Sequence, residues 1–257
     1  MSSTRTSAWL LAGLLTSGSA ARLLAADPSP REVVERSVKA YNKHDGEAIA
    51  GLFEADATLW NLGEGKPTAS GRDGVRQLFL AQFHDHPEAR TKAAQVIELG
   101  PWVAVQQKTT LEPGGSPRDA LAIYEVLGGR IRRAWRLTGQ AEEEMSGGGE
   151  GPVALSIEKW NEGDLPRLMA TYDEGATISL LANGERLAAG EDALRDRFEK
   201  AIAGGTRRRI EVLQRMAAPP WVVYRERIAP RPEGESGDSI SIYEVRDNLI
   251  RRVWIAR

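Results

Sequence analysis

Few side chains in this sequence could move a proton or hold a metal near neutral pH. There are three histidines and no cysteine, so disulfides, thiol nucleophiles and thiolate metal sites do not arise. His84 and His86 have the look of a metal pair, but Pro87 follows at once and no third ligand lies nearby, so neither a metal nor a cofactor is expected. His86 is a candidate acid or base because an imidazole titrates near neutrality. Asp56 and Glu226 join it as carboxylates able to carry a proton to or from a ring or carbonyl compound.

A stretch that occurs twice should position these groups. Ile123-Tyr124-Glu125-Val126 and Ile131-Arg132-Arg133-Ala134-Trp135 return, 119 residues on, as Ile242-Tyr243-Glu244-Val245 and Ile250-Arg251-Arg252-Val253-Trp254. Each reads as a β-hairpin around a two-residue turn, Gly128-Gly129 or Asp247-Asn248. A regular register sets Val126 opposite Ile131, Glu125 opposite Arg132, Tyr124 opposite Arg133 and Ala122 opposite Trp135. Tyr124, Arg133 and Trp135 then share one face, as do Tyr243, Arg252 and Trp254, and that face reads as a pocket wall. Arg133 and Arg252 either anchor a ligand carboxylate, enolate or carbonyl oxygen or simply stack on the aromatic rings. Glu125 with Arg132, and Glu244 with Arg251, read as ion pairs worth about 0.2–1 kcal/mol each.

The other ligand-binding candidates are Tyr41, Trp60, Asn61 and Trp160, with Trp60, Trp135, Trp160 and Trp254 suited to an apolar planar molecule. Trp102 and Trp221 begin matching strands and read as core. Trp60 aligns with Ser179 and Asn61 with Leu180 at the same offset, so the two pockets should differ.

The elements that hold these residues are legible in order. Ser29-Pro30-Arg31-Glu32 is a capping box with proline at the first helical position. The helix behind it carries Val34, Val38 and Tyr41 on one face, repeated as Val153, Ile157 and Trp160. Asp45 and Asp164 are placed to cap second, short helices, the first running through Ile49, Leu52 and Phe53. Strands near Thr58–Asn61 and Thr177–Leu180 follow, then third helices through Val75, Phe79 and Phe83 or Leu194, Phe198 and Ile202. Two more strands and the hairpin complete the order α-α-β-α-β-β-β-β. The expected fold class is α+β: two cone-shaped domains, each a curved antiparallel sheet with three helices on its concave face. The domains run over residues 29–138 and 152–257, joined by a polar, glycine-rich linker at 139–151.

At 257 residues, 41% hydrophobic and 27% charged, the chain can form two ordinary cores. Its formal charge of −2 gives no reason to expect nucleic acid, and Arg207-Arg208-Arg209 reads as solvated. Arg5, the apolar run Ala8–Leu15 and small residues up to Ala21 or Ala26 resemble an export signal over residues 1–26, implying a periplasmic or secreted protein and otherwise a cytoplasmic one. No later stretch has the roughly 20 apolar residues a membrane span needs.

Tyr41-Asn42-x-His44-Asp45, Asp56-Ala57-Thr58, Gly71-Arg72-x-x-Val75-Arg76 and the Ile-Tyr-Glu-Val hairpin together resemble SnoaL-like members of the nuclear transport factor 2 superfamily. The resemblance covers nearly everything after residue 30, twice, and implies a cone of helices and curved sheet. Members include ketosteroid isomerases, polyketide cyclases, epoxide hydrolases and binding-only proteins. The isomerase constellation would fall at Ser37, Asn61 and Ala122, and again at Ser156, Leu180 and Ser241, none of which supplies the required acids. Three readings follow: a binder of a small apolar or carbonyl-containing molecule; an isomerase, cyclase or hydratase with Arg133 or Tyr124 polarising an oxygen; and a fused pair standing in for a dimer, with Glu125, Arg132, Glu244 and Arg251 between the copies.

Overall fold

Each domain starts from a helix that its own sequence caps. In the computed structural model, which describes residues 27–138, 149–203, 208–229 and 237–257, the Ser29 hydroxyl accepts from the Glu32 amide. Glu32 returns the bond by accepting from the Ser29 amide at 2.8 Å, an arrangement worth about 1 kcal/mol. The helix that follows, α1, spans Pro30–Asn42 and buries Val34 and Tyr41. The leader expected in residues 1–26, most of the linker and Arg207 lie outside the described residues.

Asp45 caps α2 (Gly46–Gly51) through a 2.8 Å bond from the Ala48 amide. Then come β1 (Phe53–Asn61), β2 (Lys66–Ser70), α3 (Gly71–Asp85), β3 (Arg90–Leu99), β4 (Trp102–Thr110), β5 (Arg118–Leu127) and β6 (Arg130–Thr138). The second domain repeats the series as α4 (Glu150–Glu162), α5 (Leu165–Met169), β7 (Tyr172–Leu180), β8 (Arg186–Ala189), α6 (Glu191–Ala203), β9 (Arg209–Ala218), β10 (Trp221–Ala229), β11 (Asp238–Arg246) and β12 (Leu249–Ala256). Asp164 caps α5 as Asp45 caps α2. Helix α4 starts at Glu150, within the stretch expected as linker.

The strand orders are β2-β1-β6-β5-β4-β3 and β8-β7-β12-β11-β10-β9. The expectation of a wholly antiparallel sheet needs correcting, because β1 joins β6, and β7 joins β12, in parallel. Phe53 belongs to β1 rather than to the short helix. The edge strands β2 and β8 were not expected. Each buries one residue, Ala69 or Ala188, so neither carries an apolar alternation that marks it.

A bulge corrects the hairpin register. Val126 pairs with Ile131 as expected, but Glu125 pairs with Arg133, Tyr124 with Ala134, Ile123 with Trp135 and Ala122 with Arg136. Arg132 is the extra residue on β6. Arg251 is its counterpart, since Glu244 pairs with Arg252 and Val245 with Ile250. Past the bulge every side chain changes face. Ala122, Tyr124, Ile131 and Ala134 look towards the helices, while Ile123, Trp135 and Leu137 look the other way.

That other face is covered by the second domain. Trp102, Leu121, Ile123 and Trp135 pack in one core with Trp221, Val223, Ile240 and Ile242. Strands β4, β5, β10 and β11 are therefore apolar on both faces, as strands covered on both sides must be. Gln95 Nε2 donates to the Arg215 carbonyl at 2.6 Å and Gln106 Nε2 to the Ala217 carbonyl at 3.0 Å, tying the domains at the margin of the shared core.

Candidate functional site

Helices and sheet enclose unequal spaces in the two domains. In the first, Tyr41 packs edge-on to Phe79 and Phe83 at centroid distances of 6.2 and 5.1 Å, and the Tyr41 hydroxyl accepts from Gln82 Nε2 at 2.8 Å. These rings and Phe53, Leu59 and Tyr124 leave a cavity of only 60 Å³, room for about two waters. Gln107 and Arg136 also line it. Burial pushes the Tyr41 and Tyr124 phenols above their ordinary values, with Arg136 pulling the other way.

The second domain holds a cavity of 620 Å³, within the range of small-molecule sites. Ile202 stands where the first domain has Phe83, and Trp160 turns its Nε1 out to the Arg208 carbonyl at 2.9 Å. The apolar lining includes Ile157, Trp160, Ile178, Phe198 and Val253. Glu226, Ser156, Tyr172, Ser239 and Tyr243 are among its polar groups, and charged side chains of α6 and the chain's last residue line it as well.

Glu226 sits on β10 on the same face as Val222 and Tyr224, which belong to the core beneath the helices. It is 3% exposed. The Ser241 hydroxyl donates to Oε2 at 2.7 Å and the Tyr243 hydroxyl to Oε1 at 2.6 Å. No cation pairs with it among the described residues. Burial is the largest influence and pushes the carboxyl above its ordinary range; the two hydroxyls oppose this without cancelling it. The Tyr243 phenol is raised well above its usual value by burial, then by Glu226 and Tyr172, and Tyr172 is raised by burial and by Glu226. The result is a carboxyl group in apolar surroundings with a second phenol, Tyr172, close enough to feel its charge. Such a group takes up or releases a proton more nearly at neutral pH than an exposed glutamate does.

The remaining candidates are dispersed. Arg133 and Arg252 do not face the cones. Arg133 Nε donates to Glu125 Oε2 at 2.5 Å and its guanidinium lies 5.8 Å from the Trp135 ring centroid. Arg252 pairs with Glu244, lies 5.1 Å from the Trp254 centroid, and donates through Nη2 to the Gly63 carbonyl across the domain boundary at 3.0 Å. The expected partners Arg132 and Arg251 are the bulged residues, and Arg251 bonds Asp247 instead. Trp60, Trp135 and Trp254 line a cleft of 410 Å³ between the domains, with Arg133. The Asn61 amide donates to Glu64 Oε1 at 2.6 Å while its oxygen accepts from the Gly63 amide, so it shapes a turn. Asp56 is exposed on β1. His86 ends α3, its amide bonded to the Gln82 carbonyl, and it lines neither cone. Of the candidates, Trp160, Tyr243 and Glu226 come together in the second cone and Tyr41 and Tyr124 in the first, whose cavity Trp135 also borders.

Tyr172, Ser156 and Arg136 complete these interiors. A comparison at the 119-residue offset marks Tyr172 and Arg136, though not Ser156, whose counterpart Ser37 is also serine: Phe53 becomes Tyr172, Gln107 becomes Glu226, Ala122 becomes Ser241, and Arg136 becomes Ile255. Polarity has moved from one wall of the cone to another.

Two curved sheets, each roofed by three helices over a tapering interior, define a tandem of cone-shaped α+β domains. The SnoaL-like domain profile matches residues 34–134 and again 153–253, and the chain belongs to that family. No functionally curated protein matches it in sequence. Among solved structures, it resembles an uncharacterised cystatin-fold protein from Novosphingobium aromaticivorans at 22% identity, over 43% of this chain and 98% of that one, with a TM-score of 0.40. A candidate ketosteroid isomerase from Kribbella flavida matches at 19% identity, over 46% and 83%, with a TM-score of 0.39. IdmH, a candidate polyketide cyclase from Streptomyces antibioticus, matches at 19% identity, over 43% and 92%, with a TM-score of 0.37. No helix among the described residues is long and apolar enough to cross a membrane.

Proposed function

We propose that the second domain binds a small, mostly apolar molecule in its cone, and that the first domain, its own cone nearly filled, serves as its structural partner. The observation that carries this is the 620 Å³ cavity around a buried Glu226, against 60 Å³ in the matching place of the first domain. The face-to-face core supports a chain that does alone what a dimer of single domains would do, so light scattering should find a monomer. Export remains part of the proposal and rests on the first 26 residues; mass spectrometry of the mature chain tests it. Binding is tested by titrating planar ring ketones and alcohols while following Trp160. Saturable binding that Ala193→Trp abolishes supports the assignment; binding unaffected by that substitution places the ligand elsewhere.

The Glu226 environment favours a second reading, an acid–base enzyme. A carboxylate short of solvent and without a cation is a stronger base than usual, suited to removing a proton from carbon next to a carbonyl, while Tyr172 donates a hydrogen bond to the developing oxyanion. Isomerisation, cyclisation and dehydration all begin this way. The test is exchange of those protons into deuterated water for each ligand that binds. Loss of at least about 100-fold in Glu226→Gln supports it, and unchanged exchange refutes it.

A further inference from the structure

The mouth of the second cone differs from its base in charge. Arg197 and Lys200, on α6, line the cavity together with Arg208 and Arg257. The acids lining it are Asp196 and, at the base, Glu226. Asp196 is engaged, since Lys200 Nζ stands 2.7 Å from its Oδ2, and Glu226 is held by its two hydroxyls. Arg197, Arg208 and Arg257 have no carboxylate partner among the described residues. The lining at the mouth therefore carries a surplus of positive charge. Burial, and after it the positive charge of Arg257, hold the Arg197 guanidinium below its ordinary value, which is the behaviour of cations crowded together at a partly dry rim.

The chain supplies its own control. At the 119-residue offset, Arg197, Lys200, Arg208 and Arg257 correspond to Leu78, Ala81, Ala89 and Thr138. Not one of the four is charged in the domain whose cavity is nearly closed, although the two domains share their caps, hairpins and strand order. The cations therefore go with the open cavity and not with the fold.

We infer that the second cone takes an amphipathic organic anion, its apolar body lying against Trp160, Ile178 and Val253 and its carboxylate or phosphate monoester held at the mouth by Arg197, Arg208 and Arg257. This rests on the binding reading above and narrows its ligand class. The anion stays at the rim, where guanidinium groups can bind two oxygens at once, and the buried end meets Glu226 and Tyr172. An anion at the base would meet Glu226 with no cation beside it, so the ligand has one orientation.

Three probes with one naphthalene body test this by calorimetry on the full chain: naphthalene-2-acetate, 2-naphthaleneethanol and 2-naphthyl phosphate. The acetate or the phosphate should bind roughly tenfold tighter than the alcohol at low salt, a difference expected of two or three partly exposed ion pairs, and whichever leads identifies the anionic group. The preference should fall to less than about twofold in Arg197→Gln/Arg257→Gln. It should persist in Arg195→Gln, whose arginine is engaged with Glu191 at 2.6 Å outside the cavity. Both changes are at solvent-accessible positions, and circular dichroism checks that the fold is kept. Equal or tighter binding of the alcohol, or a preference that survives the double substitution, overturns the inference and leaves the pocket assignment standing. Binding of none of the three removes both.

Discussion

The Tyr243 hydroxyl donates to Glu226 Oε1 at 2.6 Å, between neighbouring strands, where no cation among the described residues pairs with the carboxyl. A carboxyl group placed so is favoured in its neutral form. Its folded pKa is raised above the ordinary 4.5, so the stability it contributes is fully present below the unfolded value and is lost as pH rises through the folded one. Glu226→Gln keeps the shape and removes the titration. Relative to wild type, this variant should gain stability between about pH 5 and about pH 8. Urea unfolding at both values checks it, and a parallel pH dependence for the two proteins would show that Glu226 is not the group responsible.

Glu244 carries the opposite sign. Burial alone would raise its carboxyl, but hydrogen bonds from Arg252 and Arg246 outweigh burial and hold it below the ordinary range. Its contribution is present above the unfolded pKa and is lost as pH falls through the folded one. Arg252→Met strands a carboxylate that is 3% exposed and cuts the bond to the Gly63 carbonyl. The expected loss is about 2–4 kcal/mol at neutral pH, because Arg246 still bonds Glu244. The loss should shrink in acid, as denaturant midpoints across pH would report.

These two glutamates also mark how far the sequence can be read. Helix caps, the helical stripes and the repeated hairpins follow from local rules, and they appear in the structure where Ser29, Asp45 and the Ile-Tyr-Glu-Val strands put them. The bulge at Arg132 escaped a strict two-residue alternation. Its signature is the pair Arg132-Arg133 between Ile131 and Ala134, two apolar residues three apart that nonetheless face the same core. Ile250 and Val253 repeat the spacing. Missing that residue exchanged the two faces and carried Arg133, Trp135, Arg252 and Trp254 from the domain boundary into an imagined pocket. The boundary was hard to foresee for another reason: Leu121 to Tyr124 is apolar on both faces, and alternation says nothing about which face meets helices and which meets another sheet. Glu226 stood out as an isolated carboxylate, but its surroundings come from four separate elements, α4, β7, β10 and β11, which no local pattern joins.

Trp221 tests the shared core. It is 2% exposed and packs with Trp102, Trp135 and Trp254 in the cluster between the sheets. Trp221→Ala should cost about 3–5 kcal/mol. Because those contacts belong to both domains, the variant should also lose cooperativity, with a single urea transition separating into two. A uniform shift of one transition would mean that the domains are coupled elsewhere, through Gln95, Gln106 and Arg252.

The first domain offers the converse of the Glu226 experiment. Gln107 occupies the place of Glu226, and Arg136, which has Ile255 as its counterpart, lines the same 60 Å³ cavity. Gln107→Glu would put a carboxylate near a guanidinium, where Glu226 has only hydroxyls. Attraction to Arg136 lowers a carboxyl pKa, just as it opposes the rise of Tyr41 and Tyr124. Stability gained from the new glutamate should therefore grow as pH rises through about 4 to 5 and vanish in acid, the reverse of the trend at Glu226. Adding Arg136→Leu to Gln107→Glu should turn the trend round, because the carboxylate then sits in a small apolar cavity with no cation. Thermal unfolding of the single and double variants across pH makes the measurement. If both follow the same trend, then it is burial, and not the arginine, that sets the charge state of this position in the cone.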